Sequence, residues 1–331
     1  MGSWTPAQLY LASEQGAWYD PSDFSTMSQD DAGTTPVTAV EQPVGKILDK
    51  SGRGNHASQT TAASRPVLSA RKNWIPHTED FTHAYWINTN LSVSMNGAVA
   101  TLTTTTDNDS HKITNNEQAR VGSQTISVEV KPNGYTKFAI KESNTTGQYA
   151  SVNLSGAGSI ITTNGASASI VQLVDGYYRV SLSVSTAGIV GRAFIICAPG
   201  YVGGDPNTST FAGDGVSGVL LRYPQSEYGL VPTRYQRVNT NTDYDTVGFP
   251  YYLAFDGVDD YLRTTFPNLG LNVTIGRSIP GTGASILTGQ TIGAGNWDDS
   301  TSHCALVIID RALTGPETTL LTSYLNTRAG L

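Results

Sequence analysis

Cysteine is nearly missing from this chain of 331 residues, which holds only Cys197 and Cys304. Each lies in an apolar run, RAFIICAP and SHCALVIID, with no second ligand at a metal-binding spacing. The expectation is two buried free thiols, with neither a disulfide framework nor a zinc site. Charge is scarce too: Asp, Glu, Lys and Arg make up 14% of the residues, where roughly 25% is common in soluble domains. The 20 basic residues are scattered and outnumbered by 27 acidic ones, for a net charge of −7. Nothing gathers positive charge against phosphates, so nucleic acid is not expected as a partner. No apolar run approaches the roughly 20 residues that a spanning helix needs. The opening MGSWTPAQL lacks the basic and apolar regions of a signal peptide, so membrane insertion and export by such a leader are not expected. Phosphate-cradling Gly loops, H-E-x-x-H, G-x-S-x-G and C-x-x-C are absent as well.

Ser, Thr, Asn and Gly fill the space that charge leaves. β-Branched Thr suits the pleat of a strand, while Gly and Asn suit turns with positive φ, so the composition predicts an all-β fold. TISVEVKP, KFAIKES, YASVNLS, YYRVSLSVS, RAFIICA and GVLLRYP alternate apolar with polar residues, and Asn133-Gly134 and Asp175-Gly176 read as turns between such runs. The pattern predicts antiparallel sandwiches. Helices are expected only at the ends. PAQLYLASEQ offers Thr5 as N-cap and Pro6 at the first position. Before the final segment, Thr314 and Glu317 form a T-x-x-E capping box, Leu313, Leu320, Leu321, Tyr324 and Leu325 recur at helical spacing, and Gly330 stops the run.

Gly16 to Leu68 carries a W-x-D-x-S-D start, the hairpin LDKSGRGNHA and an ASRP-x-L exit, and resembles the opening of a laminin-G/concanavalin-like sandwich of phage tail and prophage proteins. In that family a strand like YLAFDGVDDYL follows within a short loop; here it comes only at Tyr252 to Leu262. The intervening NWIPHTEDFTHAYWINTNLSVS, DGYYRVS, FAGDGVSGVLLRYPQSEYG and VPTRYQRV resemble, in order, a carbohydrate-binding-type jelly roll. Arg222-Tyr223-Pro224-Gln225-Ser226-Glu227 departs from the usual Gly-Ala-Gln-Leu-Glu core before its last strand. The resemblance implies two antiparallel β-sandwiches: residues 1–72 and 248–331 form a discontinuous laminin-G-like sandwich, and 73–247 form a jelly roll inserted in one of its loops. Such an insertion costs little, because loop-closure entropy grows slowly with length.

Asp256, Asp259 and Asp260 are calcium candidates, although D-G-V-D-D is not the spaced calcium-loop pattern and F-D-G between strand residues reads as a hairpin turn. No other cofactor is expected. His56 with Asp49, and His303, lack a nucleophile motif and read as loop or capping residues. Sugar sites use aromatic faces flanked by Asn, Asp, Gln or Arg. The candidates on that ground are Trp297 with Asp298 and Asp299 in a Gly/Asn/Asp-rich loop, Tyr135, Tyr149, Tyr177 and Trp86; core packing competes as the role of Trp86. Catalytic residues are not singled out, because nothing locates a pair of carboxyls across a cleft.

Taken with the resemblance, these readings predict a virion component of a tailed phage or prophage, in the tail or its fibres, assembled in the bacterial cytoplasm. Its expected partners are other tail proteins, a host-surface glycan and further copies of itself, a trimer among the options. A polysaccharide-degrading glycosidase or lyase and a purely architectural decoration protein are the alternatives.

Overall fold

In the computed structural model the described residues are 4–115, 122–142, 147–185 and 191–331, which leaves out residues 1–3 of the opening and Ser143 of the expected strand KFAIKES. The fold is all-β, with 44% strand against 9% helix. The chain divides into two compact units, Met1–Ala70 with Thr246–Leu331, and Arg71–Asp245.

The first unit begins with β1 (Gly16–Tyr19), β2 (Met27–Ser28), β3 (Lys46–Ile47), β4 (Ala57–Ser58) and β5 (Val67–Ser69). The second contributes β6 (Trp86–Thr89), β7 (Leu91–Asn96), β8 (Val99–Thr104), β9 (Asn108–Asp109), β10 (His111–Asn115), β11 (Gln124–Asn133) and β12 (Lys137–Glu142). It continues through β13 (Tyr149–Asn153), β14 (Ser159–Asn164), β15 (Ser167–Gln172), β16 (Tyr178–Val184), β17 (Arg192–Ile196), β18 (Phe211–Ala212) and β19 (Gly218–Tyr228). The chain then returns to the first unit with β20 (Tyr252–Ala254), β21 (Leu262–Phe266), β22 (Gly270–Ile279), β23 (Gly283–Ile292), β24 (Gly295–Asp299), β25 (Ala305–Ile309) and helix α1 (Gly315–Ala329).

In the first unit a four-stranded sheet, β1-β25-β22-β23, packs on a five-stranded one, β2-β3-β4-β21-β24. Alternation along β25 explains its unbroken apolar run. Leu306 and Ile308 join Ile47, Ala57, Leu262 and Phe266 between the sheets, while Ala305, Val307 and Ile309 face Leu321 and Leu325 of α1. Phe255 also packs against the core that holds Ile47 and Leu262, so segments from both ends of the sequence share one apolar cluster. The helix has the caps its sequence predicts: Glu317 N–H donates to Thr314 Oγ1, Thr314 N–H donates to the Glu317 carboxylate, and Gly330 takes φ +79°. Of its expected apolar positions, Leu320 faces solvent instead.

The second unit is a sandwich of two six-stranded sheets, β14-β13-β12-β17-β10-β6 and β15-β16-β11-β19-β8-β7, all pairs antiparallel. Its core runs between them through Ile126, Val128, Phe138, Ile140, Val180, Phe194 and Leu221.

Two expectations need correcting. The first helix is a 3₁₀ turn, Pro6–Tyr10, whose Thr5 side chain makes no capping bond; Leu9 and Tyr10 are buried in an apolar cluster with Ala7 packed beside them, and Leu11 points into solvent. Asp175-Gly176 turns the β15/β16 hairpin, and Asn133-Gly134 separates β11 from β12 as expected, joining strands of different sheets without closing a hairpin. Gly134 has φ +105°, and a Cβ there would lie 2.4 Å from Ser217, so this corner admits only glycine. F-D-G likewise closes no hairpin: β20 pairs with β5, while β21 pairs with β4 and β24. Cys197 and Cys304 are buried and free, and burial pushes the Cys197 thiol up to about 12.

Candidate functional site

The outer face of the five-stranded sheet carries an open groove of about 320 Å³, lined by Gly54, Asn55, His56, Ser58, Gln59, Thr60, Tyr261, Arg263 and Thr265. That volume lies at the lower end of the roughly 300–1,000 Å³ usual for small-molecule clefts. Register explains why these residues meet. Arg263 pairs with Ser58 on one side and Asp298 on the other, and Thr265 stands opposite Asn296, so two polar rows cross the sheet. Because Leu262, Thr264 and Phe266 alternate inward, Arg263 and Thr265 are turned outward.

The rim of the groove is the β3–β4 loop, shaped by one carboxylate. Asp49 accepts the N–H groups of Trp18 (2.9 Å), Ser51 (2.8 Å) and Asn55 (3.1 Å), together with the Ser51 hydroxyl. The N–H of Asp49 donates to His56 Nδ1 (3.0 Å), so a neutral His56 carries its proton on Nε2. On the opposite side, Tyr261 is fixed through its backbone: its N–H donates to Ser64 O, and its carbonyl accepts from Gln59 Nε2 (3.2 Å). Arg263 donates from Nε and Nη2 to both oxygens of Asp298, each at 2.7 Å, and its guanidinium lies 5.1 Å from the Tyr261 ring. The carboxylate raises the guanidinium above its ordinary range.

Several polar groups remain unspent here. His56 Nε2, Arg263 Nη1 and the hydroxyls of Ser58, Thr60 and Tyr261 make no hydrogen bond among the described residues. A half-buried tyrosine ring held beside donors and hydroxyls of both polarities can stack on the apolar side of a sugar and bond its hydroxyls.

Beside Tyr261 lies the acidic loop. One oxygen from each of Asp256, Asp259 and Asp260 comes within 4.8 Å of the others, two of the residues being exposed. Each carboxylate has work within the loop: Asp256 Oδ1 accepts the N–H groups of Val258, Asp259 and Asp260, Asp260 accepts the N–H of Asp256 (3.0 Å), and Asp259 accepts the Ser64 hydroxyl (2.7 Å). Those backbone donors lower the Asp256 carboxyl below its ordinary range, whereas burial and then its acidic neighbours raise that of Asp260. The three could hold a calcium ion through their remaining oxygens.

The other candidates fall elsewhere. Trp297 lies on strand β24 rather than in a loop; it is half-buried, turned inward against the core, and 6.0 Å from Phe266. Alternation therefore places Asp298 at the groove and buries Asp299, which contacts Arg277 (2.6 Å) and His303 (3.1 Å). Burial opposes charge on Asp299, but its contacts with His303 and Arg277 outweigh that and hold the carboxyl below its ordinary range. Trp86 and Tyr135 are core residues of the second unit. Tyr177 is buried against Arg222, whose guanidinium lies 3.8 Å from its ring and is held by Glu129 and Asp175. Tyr149 is buried on the outer face of the sheet holding β12, beside Lys141, which donates to both oxygens of Asp205. Sequence reasoning missed Ser58, Thr60, Tyr261 and Arg263 as site residues. Their signal was the alternation Tyr261, Arg263, Thr265 on one face, opposite Leu262 and Phe266.

No family model matches this chain, and no curated protein matches its sequence, so the reading of this groove stands on its own geometry.

Proposed function

We propose that this protein is a glycan-binding display protein, and that the groove on the five-stranded sheet retains a host-surface sugar without cleaving it. The observation that carries the reading is the convergence of Tyr261 with the unspent polar groups of His56, Ser58, Thr60 and Arg263 in one open groove. None of the lining residues bears a carboxyl, and Asp298 beside them is engaged at both oxygens by Arg263. Retention is favoured over hydrolysis because a glycosidase needs two carboxyls across its cleft. Placement in the tail or fibres of a tailed phage is part of the proposal and is supported by the resemblance of residues 16–68 and 252–262. Many copies on one particle would compensate for a shallow site through avidity.

The test is a glycan array of bacterial capsule and lipopolysaccharide fragments, probed with the intact protein and with Tyr261→Ala, alongside a reducing-end assay on the same polymers. Retention that weakens about tenfold in the variant supports the proposal, because losing one sugar–aromatic stack removes about 1.4 kcal/mol. Released oligosaccharide would turn the reading toward a glycan-degrading enzyme. An array left blank by the intact protein would turn it toward a purely architectural role.

A further inference from the structure

Each of the four main sheets has two outer strands, and an open edge is a template for pairing unless something blunts it. Among the described residues all but two are blunted. The loop after β3 covers β1, taking the Trp18 N–H on Asp49 and giving the Lys50 N–H to the Trp18 carbonyl. β2 is two residues long and β6 four. β24 carries Asp298 and Asp299. β23 is broken by a register shift and by Gly289 at φ +64°, and its Ala284 N–H is taken by the Asn326 side chain. β14 is bulged opposite Ser151 and Val152.

The exceptions are β15 and β7, the two ends of a single six-stranded sheet. Both run six residues in unbroken register with their inner neighbours, and SASIVQ and LSVSMN contain neither charge nor proline. Their side chains follow one pattern. Ser167 and Ser169 on β15, like Ser92 and Ser94 on β7, face solvent, while Ile170 and Met95 lie half-buried along the flank of the core. A strand laid on either edge would therefore find hydroxyls to match hydroxyls and aliphatic surface to match aliphatic surface, with no like charges to separate. The strand count adds a geometric condition. Six antiparallel strands leave β15 and β7 pointing in opposite directions, so a copy moved along the sheet without inversion brings its β7 antiparallel beside β15.

We infer that the partner of the β15 edge is the β7 edge of a second copy of this chain, the sheet continuing from one molecule to the next. This is a head-to-tail contact, which forms a closed ring where the rotation per copy allows it, and in a ring every copy covers both open edges. It is independent of the sugar groove, which lies on the other unit.

Light scattering on the purified full chain tests it, using an inward-pointing lysine to block each edge in turn. The intact protein is expected at a multiple of its 35.1 kDa mass. Ile170→Lys alone and Met95→Lys alone are each expected at the mass of one chain. Mixed together, they are expected to form a one-to-one dimer, because one retains a working β7 and the other a working β15. An intact protein with the mass of one chain overturns the inference, as do two variants that both keep the intact protein's mass. Loss of assembly in Ile170→Lys but not in Met95→Lys overturns it in favour of β15 pairing with itself. Thermal unfolding shows whether the variants fold; should either fail, Ser169→Glu and Ser94→Glu, both solvent-facing, carry the same comparison.

Discussion

On the outer face of the five-stranded sheet, Tyr261 stands beside Arg263, which is clamped to Asp298 on the next strand. On the outer face of the six-stranded sheet that holds β12, Tyr149 stands beside Lys141, which is clamped to Asp205. The ingredients match, but the source of the carboxylate differs. Asp298 belongs to the sheet itself, so the ion pair lies flat and the face stays open. Asp205 comes from the segment after β17, which crosses the sheet: Tyr201 packs on Ala139, Ala193, Ile195 and Cys197, and its hydroxyl meets that of Ser151 at 2.9 Å. There the tyrosine and the cation are spent on holding a covering segment in place, and Lys141 keeps only 6% of its side-chain surface. An aromatic–cation–carboxylate set therefore marks a site only where the backbone leaves it uncovered.

This contrast can be pressed by substitution. The largest expected effect on stability comes from Trp297→Ala. If the side chain supports the core as its inward position requires, the first unit loses about 3 kcal/mol, the lower part of the range for deleting a large aromatic, since Trp297 is only half-buried. Thermal or denaturant unfolding measures this; a stable variant that loses only glycan retention would restore Trp297 to a binding role. Next comes Asp205→Ala, which strands a buried lysine. Breaking a fully buried pair costs about 3–5 kcal/mol, and because Asp205 keeps 43% of its side-chain surface exposed, about 2 kcal/mol is expected, with glycan retention unchanged. Burial opposes charge on Asp205, but Lys141 prevails and holds the carboxyl below its ordinary range.

Smaller still is Glu317→Gln at the start of α1, expected to cost about 1 kcal/mol through the weakened capping box and the lost Arg311 pair. Arg311 lowers the Glu317 carboxyl from 4.5 to about 2. A depressed carboxyl stabilises the fold above its unfolded value, so this contribution is complete above 4.5 and is lost as the pH falls toward about 2. An acid titration of unfolding should therefore show a smaller loss in Glu317→Gln than in the intact protein. The smallest effect belongs to Arg263→Ala, whose solvent-screened pair should leave the melting temperature unchanged while glycan retention falls.

Much of this architecture is legible in the sequence because local chemistry decides it. The α1 caps follow from Thr314, Glu317 and Gly330, and the strand runs follow from alternation. The site is less legible for two reasons. Trp297 reads as a loop residue because Gly, Asn and Asp surround it, while the pairing of β24 with β21 is a long-range choice that no local propensity reveals. F-D-G misled in a similar way: its turn chemistry is real, since Asp256 does hold the bend, but the partners of the flanking strands lie far away in sequence. Tyr149 shows the converse problem, because whether an outward tyrosine is exposed depends on a covering segment that follows some fifty positions later in the chain.

The most direct test of the account is glycan retention by the intact protein, Tyr261→Ala and Tyr149→Phe, side by side on the same array. The account predicts that the intact protein and Tyr149→Phe retain the same sugar equally, while Tyr261→Ala loses about tenfold. Retention lost with Tyr149→Phe and kept with Tyr261→Ala would contradict it.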